Sequence, residues 1–584
     1  MNKAVGLPKV SYTPPPPGGV VRQASIRFRG VKVAAWDEHP FDWVEGDHFT
    51  VRRVFHGGPF KSFEGGIRMK ADGAGTVAEA HGDFVPRGAL GRFLAPLVGG
   101  KGSADMAGAV AKVGAWACTG AGCDCDPLRP QTPKDTVDRT RLERLLGRAA
   151  ERSDRAVLER LRRHIETADD QDAAVLRPFE LADRWALDRL ATLTAFLAAT
   201  REGALDLRWE LLCPHCRVAK SACGTLSEAA ASAHCDFCNA DFDAQLDVNM
   251  ELRFSPNPSV RPVTAAQFCI GGPANSRHRP AQVKVAAGQT RVVTLPLKSR
   301  RYLVRGLLGT SEFLLLPDSA AGGSAAKVAF SGGEAAEGEA HFKPGLVELT
   351  LTNAGPEVWA VVEEVEWGDT AATAAFVTSL QDFKDLFSSE VLAPGTEVSV
   401  RSLALLFTDL KGSTAMYERV GDARAYSVVR DHFGVLFEVV RRRRGAVVKT
   451  IGDAVMAAFS DPADAVAAAL EMHDELHARN KTLTVPVVLK VGVHEGPAIA
   501  INSSGVLDYF GTTVNLAARV QSESTGGDVV LTEAVLASAR AAGLVKKTCE
   551  CSADFETTVK GLAAPVRLTR VWPRSSLDAG LGPG

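Results

Sequence analysis

Residues 403–414, LALLFTDLKGST, and residues 449–457, KTIGDAVMA, decide how the last third of this 584-residue chain folds. Each ends an apolar run on an aspartate, Asp409 in the first and Asp453 in the second. Each aspartate stands where a strand gives way to a tight turn. Two carboxylates delivered at strand ends, beside a Gly/Ser/Thr loop, suit two divalent cations on a triphosphate.

Reading outward, residues 401–573 run strand, helix, hairpin, helix, strand pair, helix, strand. In the first long helix Tyr426, Val429, Phe433, Leu436, Phe437 and Val440 recur at helical spacing and predict one apolar stripe. Arg441–Arg444 falls at the end of that helix, where cations favour the negative end of the dipole and Gly445 can stop it. Residues 446–450 and 454–459 predict a hairpin with Ile451-Gly452-Asp453 at its tip, and Asp461-Pro462 opens the next helix. This order indicates a ferredoxin-like βαββαβ palm, with the two aspartates on adjacent strands. Asp409 and Asp453 alone fit a polymerase-like or diguanylate-cyclase-like palm equally well.

Four segments narrow the choice: FTDLKGST, KTIGDAVMA, DYFGTTVNLAARV (508–520) and VKGLAAPVRL (559–568). In order and spacing they resemble the class III nucleotidyl cyclases, over about 170 residues. The resemblance implies that Asp409 and Asp453 hold two Mg2+ or Mn2+ ions. It implies that Leu410, Lys411, Gly412, Ser413 and Thr414 receive the phosphates. Lys449 matches the lysine that donates to adenine N1, and Asp508 the aspartate that accepts from the 6-amino group. Asn515 and Arg519, four apart on one helical face, match the pair that positions the ribose and stabilises charge on the α-phosphate. Lys560 matches the lysine on the β- and γ-phosphates. Base choice is a hydrogen-bond match that guanine would reverse, so ATP is expected over GTP. In this family the site lies between two cyclase domains. A chain with one such domain and all these residue types therefore implies a head-to-tail homodimer.

The first two-thirds reads differently. Residues 1–18 end in Pro14–Pro17 and predict a flexible tail. Residues 19–125 are strand-rich with a late small-residue helix at 103–117. In shape and order they resemble the START fold, which implies a cavity for a small apolar ligand. Residues 126–204 carry helical periodicity, with Leu142, Leu145, Leu146 and Ala149, then Leu187, Leu190, Leu193 and Leu197. Residues 253–370 alternate as β-strands, most clearly in GLVELTLTN (345–353), and predict a sandwich. Residues 371–398 form a helical connector containing Phe376, Val377, Leu380, Phe383 and Phe387; the cyclase-like domain spans 399–574 and a tail 575–584.

The eleven cysteines are clustered, which in a cytoplasmic setting points to metal or free thiols. Cys213-x2-Cys216 is followed after eighteen residues by Cys235-x2-Cys238, the spacing of a four-thiolate zinc ribbon over 205–252. A closed four-sulfur site leaves no place for substrate, so one structural Zn2+ is expected. His215, Cys223 and His234 stand nearby as spectators. Cys118, Cys123 and Cys125 have no fourth ligand at suitable spacing and read as loop thiols. The W-x-L-L-C-P-x-C start of the ribbon also resembles an uncharacterised regulatory region found ahead of bacterial cyclase domains.

Composition sets the outer limits. Hydrophobic content of 46% with 23% charged residues indicates a multidomain α+β globular protein, and a net charge of −2 gives no general pull toward nucleic acid. No apolar run is long enough to span a bilayer, and the N-terminus lacks the apolar core of a signal peptide, so a cytoplasmic location is expected. Taken singly, Asp409 is a helix cap, Asp453 a turn residue, Lys449 an exposed lysine, and Asn515 and Arg519 helix surface. Their joint spacing favours a soluble adenylate cyclase with an N-terminal regulatory region. The competing readings are a guanylate cyclase, a catalytically silent cyclase-like scaffold and a ligand sensor built on the START-like part.

Overall fold

The strand Val398–Leu410 is apolar on both faces because both faces are covered. In a computed structural model of the chain, Leu403, Leu405 and Phe407 join one core with Leu193, Phe196, Trp209 and Phe383 from the N-terminal region. Ala404, Leu406 and Leu410 join a second core with Val429, Leu436, Val466 and Leu476 from the domain's own helices. The structure describes residues 10–13, 15–16, 19–28, 31–73, 75–118, 135–235, 238, 240–263, 272–273, 276–320, 322–365, 371–387, 392, 397–481, 485–503, 505–558 and 565–581. Among these, no helix is long and apolar enough to cross a membrane.

The C-terminal sheet has the strand order Ala446–Ile451, Ala454–Phe459, Val398–Leu410, Leu489–Ser503, Val529–Thr532, Val566–Pro573, Cys549–Thr557, with Val506–Phe510 paired to Leu489–Ser503. The hairpin is where the sequence places it, and the strand ending on Asp409 is central. Helix Asp422–Arg442 buries Val429, Leu436 and Val440, but Tyr426 is 65% exposed and Phe433 stacks on Phe437 at the margin of the core. The stripe is therefore rotated toward Ala425, His432, Val435 and Val439. The helix also ends differently from expectation. Arg444, at φ 60, takes the left-handed position, and the Gly445 N–H donates back to Val440 O at 2.9 Å. Gly445 is required for another reason: a Cβ there would lie 2.3 Å from the Phe459 ring. The arginine run is spent on ion pairs, Arg442 with Glu471 and Glu475, Arg443 with Glu471, Arg441 with Asp385.

Upstream, five helices between Arg139 and Arg201 bury the leucines expected of them, with Leu187 and Leu190 at the core margin. Where a sandwich is expected, Val347, Leu349 and Leu351 are fully buried in one cluster with Val283, Val304 and Val362 of a second sheet. The START-like enclosure expected over 19–125 gives way to a continuous sheet. Strand Asp42–Val44 pairs with Ala281–Val285, so the N-terminal strands extend one sheet of the sandwich into a twelve-stranded one. The late helix is longer than expected, Gly88–Cys118, and it leaves Leu90, Phe93 and Leu97 at least 60% exposed instead of folding them over those strands. The connector is two short helices, Ala374–Thr378 and Gln381–Leu386.

Candidate active site

Asp409 is the penultimate residue of its strand, opposite Lys490. Asp453 follows Gly452, whose φ of 64 makes the hairpin turn that a side chain would strain. Thr408 fastens the two together, its buried hydroxyl oxygen accepting from the Val455 N–H at 3.1 Å. Burial and the neighbouring Asp453 carboxylate push the Asp409 pKa up, against Lys490 and the Leu410 N–H. A carboxylate raised in this way by its neighbour suits a cation placed between the two. Asp453 supplies a second sign: its Oδ2 is buried without a hydrogen-bond partner. The donor set, two carboxylates with open lone pairs, fits hard divalent ions. His432 lies close to Asp453, but burial keeps the imidazole pKa below its ordinary value.

The loop after Asp409 is held by the Lys411 N–H on Val488 O at 2.9 Å. Gly412, at φ 71, then turns the chain into helix Ser413–Val420, and a helix N-terminus favours anions.

Lys449 and Asp508 meet within one chain. Lys449 Nζ donates to Asp508 Oδ2 at 2.6 Å, while Asp508 Oδ1 accepts from the Tyr509 N–H at 2.8 Å. Asp508 is 9% exposed, so its carboxylate is fixed by these two donors. Asn515 and Arg519 lie on helix Thr512–Ser522, which sits directly on strand Leu489–Ser503: a Cβ at Gly492 would be 2.2 Å from the Gln521 nitrogen. Asn515 is exposed and Arg519 half-buried. Among the described residues, no hydrogen bond or ion pair joins either of them to Asp409 or Asp453. Lys560 lies outside the described residues, as do Cys123 and Cys125 and the side chain of Cys118.

Sequence reasoning missed Lys384. It stands on helix Gln381–Leu386, where burial pushes its pKa down to about 8 and the Asp508 carboxylate works against that shift. A single lysine in a connector carries no sequence signal; only the docking of the connector brings it here.

Away from this site, Cys213, Cys216, Cys235 and Cys238 are buried with all four sulfurs within 4.8 Å of one another. Cys216 Sγ and Cys235 Sγ are 3.6 Å apart; sulfurs at two corners of a zinc tetrahedron are separated by about 3.8 Å. The cluster rests on a buried ionic group in the sandwich. Burial opposes charge on Glu363, yet Arg279 and Arg305 hold its carboxyl well below the usual range. Cys223, His215 and His234 turn to other partners, Trp209 O, Glu363 and Asp241.

Residues 397–570 match the family model for the adenylate and guanylate cyclase catalytic domain. Residues 140–269 match a family of unknown function, DUF5939. An uncharacterised protein of Mycobacterium tuberculosis is 32% identical over 160 residues, covering 27% of this chain and 38% of that protein. The adenylate cyclase of Anabaena cylindrica is 27% identical over 154 residues, covering 24% of this chain and 31% of that enzyme. The chain therefore spans well under half the length of these curated relatives. The crystal structure of the guanylyl cyclase Cya2 is 24% identical and covers 30% of this chain and 93% of its own, with a TM-score of 0.28.

Proposed function

Residues 397–570 are a class III cyclase catalytic domain, and from that premise we propose that the protein converts ATP to 3′,5′-cyclic AMP and pyrophosphate. The observation that carries the choice of ATP is the 2.6 Å pair of Lys449 and Asp508. It holds a donor and an acceptor side by side, as the N1 and 6-amino positions of adenine require. Guanine offers a donor and an acceptor in the reverse order, and the mismatch leaves buried polar groups unpaired.

Asp409 and Asp453 would hold the paired Mg2+ or Mn2+, which supply Lewis-acid polarisation of the ribose 3′-hydroxyl and of the phosphate oxygens. The residues themselves position and balance charge. Residues 410–414 cradle the triphosphate at a helix N-terminus. Asn515 orients the ribose. Arg519 faces the α-phosphate, where its planar, permanently charged fork stabilises the charge that builds as pyrophosphate leaves. Lys560 steadies the β- and γ-phosphates.

The chain carries one cyclase domain with both kinds of residue, and in the family it resembles the site lies between two such domains, which supports a site shared between two chains. A head-to-tail homodimer brings one chain's aspartates to the other chain's base-side residues, giving two equivalent sites. The four-cysteine cluster holds one structural Zn2+, and the region ahead of the catalytic domain regulates it.

Competition tests the substrate. With ATP and GTP at equal concentration and Mn2+ or Mg2+ present, cyclic AMP should dominate. Cyclic GTP product in equal or greater yield would overturn the base assignment.

A further inference from the structure

Strand Ala446–Ile451 is the edge of the catalytic sheet, and an edge presents unpaired main-chain groups. Here helix Gln381–Leu386 meets them from outside. The Val447 N–H donates to Gln381 Oε1 at 3.0 Å, and the Val447 carbonyl accepts from Lys384 Nζ at 3.0 Å. The Gln381 N–H adds a bond to Gly445 O at 3.2 Å.

The place matters because the hairpin register slips between Val447 and Lys449. A bulge re-aims the side chain beside it. The side chain beside this one is Lys449, which reaches Asp508 at 2.6 Å. The two connector residues therefore grip the irregularity that directs the base-reading lysine, and Lys384 stands within electrostatic reach of the same carboxylate.

The opposite side of this helix belongs to the N-terminal region. Phe383 packs edge-on against Trp209 with ring centroids 5.9 Å apart. Thr194 Oγ1 donates to Asp382 Oδ2 at 3.4 Å. Arg441, at the end of the long catalytic helix, pairs with Asp382 and Asp385. The helix is thus clamped between the regulatory side and the strand that carries Lys449.

Resting on the ATP-cyclising reading of this site, we propose that Lys384, together with Gln381, is a positioning residue for base recognition. By holding the Val447 bulge it sets where Lys449 meets the base. Through it the N-terminal region reaches substrate selectivity, not only overall activity.

The experiment uses the full chain with Lys384→Ala, Lys384→Arg and Gln381→Ala, measuring kcat and KM for ATP and for GTP. Loss of one aligned hydrogen bond should lower the ATP-to-GTP ratio of kcat/KM about three- to tenfold, mainly through KM for ATP. Lys384→Arg keeps a donor and should recover most of the ratio. Gln381→Ala removes the other bond to Val447 and should shift the ratio the same way, which keeps the test open if Lys384→Ala fails to fold. An unchanged ratio in the folded variants, whether kcat falls or not, overturns the positioning role while the enzyme reading stands. A wild-type protein that cyclises neither nucleotide overturns that underlying reading instead.

Discussion

Asp453 keeps one buried carboxylate oxygen unpartnered, and its charge raises the pKa of Asp409. Such an arrangement is costly in the metal-free chain, and the proposed cations would relieve it. Asp453→Asn should therefore raise the stability of metal-free protein by about 0.5–2 kcal/mol while removing its activity, as relief of active-site strain commonly does. Thermal melts in chelator, beside a cyclisation assay, check both halves; a destabilised variant would contradict the reading. Arg519→Ala should lower kcat by about 10²–10³-fold if its guanidinium meets charge that builds in the transition state. A rise in KM with kcat intact would assign it to ground-state binding instead. These residues stand out in the sequence because the family pattern they resemble has fixed types at fixed spacing. Lys384 does not, since its meaning depends on which strand edge a distant helix docks against.

At the scale of elements, the catalytic strands and helices were readable from apolar runs and turn residues, and the departures have local causes. Gly445 reads as a helix stop, but Arg444 takes the left-handed position and the glycine makes room for Phe459. The connector reads as one helix from its aromatic spacing, yet the second helix begins after Leu380, which is 3% exposed and extended in the core. Phe383, 1% exposed against Trp209 and Phe387, joins the two halves of the molecule. Phe383→Ala should cost about 3–5 kcal/mol. Chemical denaturation measures this, and a change under 1 kcal/mol would mean that the junction is not packed as described. The cysteine cluster is the other readable element. One Zn2+ per chain is expected by elemental analysis, falling to near zero in Cys216→Ser.

For the whole molecule, the sequence patterns gave no hint that strands near residues 42 and 283 share a sheet. Pairing between strands so far apart leaves no mark on either one's alternation; only the three-dimensional arrangement shows it. Buried histidines are spread across these regions. Burial lowers the pKa of His164 and His473 to about 4 and of His278 to about 3. Their unfolded pKa is 6.5, so below that the unfolded chain binds more protons. The stability they contribute is complete above pH 6.5 and is lost as pH falls through 6.5 toward 4 and, for His278, toward 3. Each contributes a slope of at most about 1.4 kcal/mol per pH unit. Melting temperatures between pH 7.5 and 4.5 should fall, with a shallower slope in His473→Gln; an equal slope would contradict this.

Ownership of the site is the central claim, and mixing two inactive variants tests it most directly. Asp409→Ala and Arg519→Ala homodimers should each make almost no cyclic AMP from ATP. After subunit exchange, activity should return to about a quarter of wild type, because half of the dimers are mixed and each mixed dimer holds one intact site. No recovery beside an active wild-type dimer would show that a single chain owns its whole site, and a wild-type dimer that forms no cyclic nucleotide would contradict the enzyme itself.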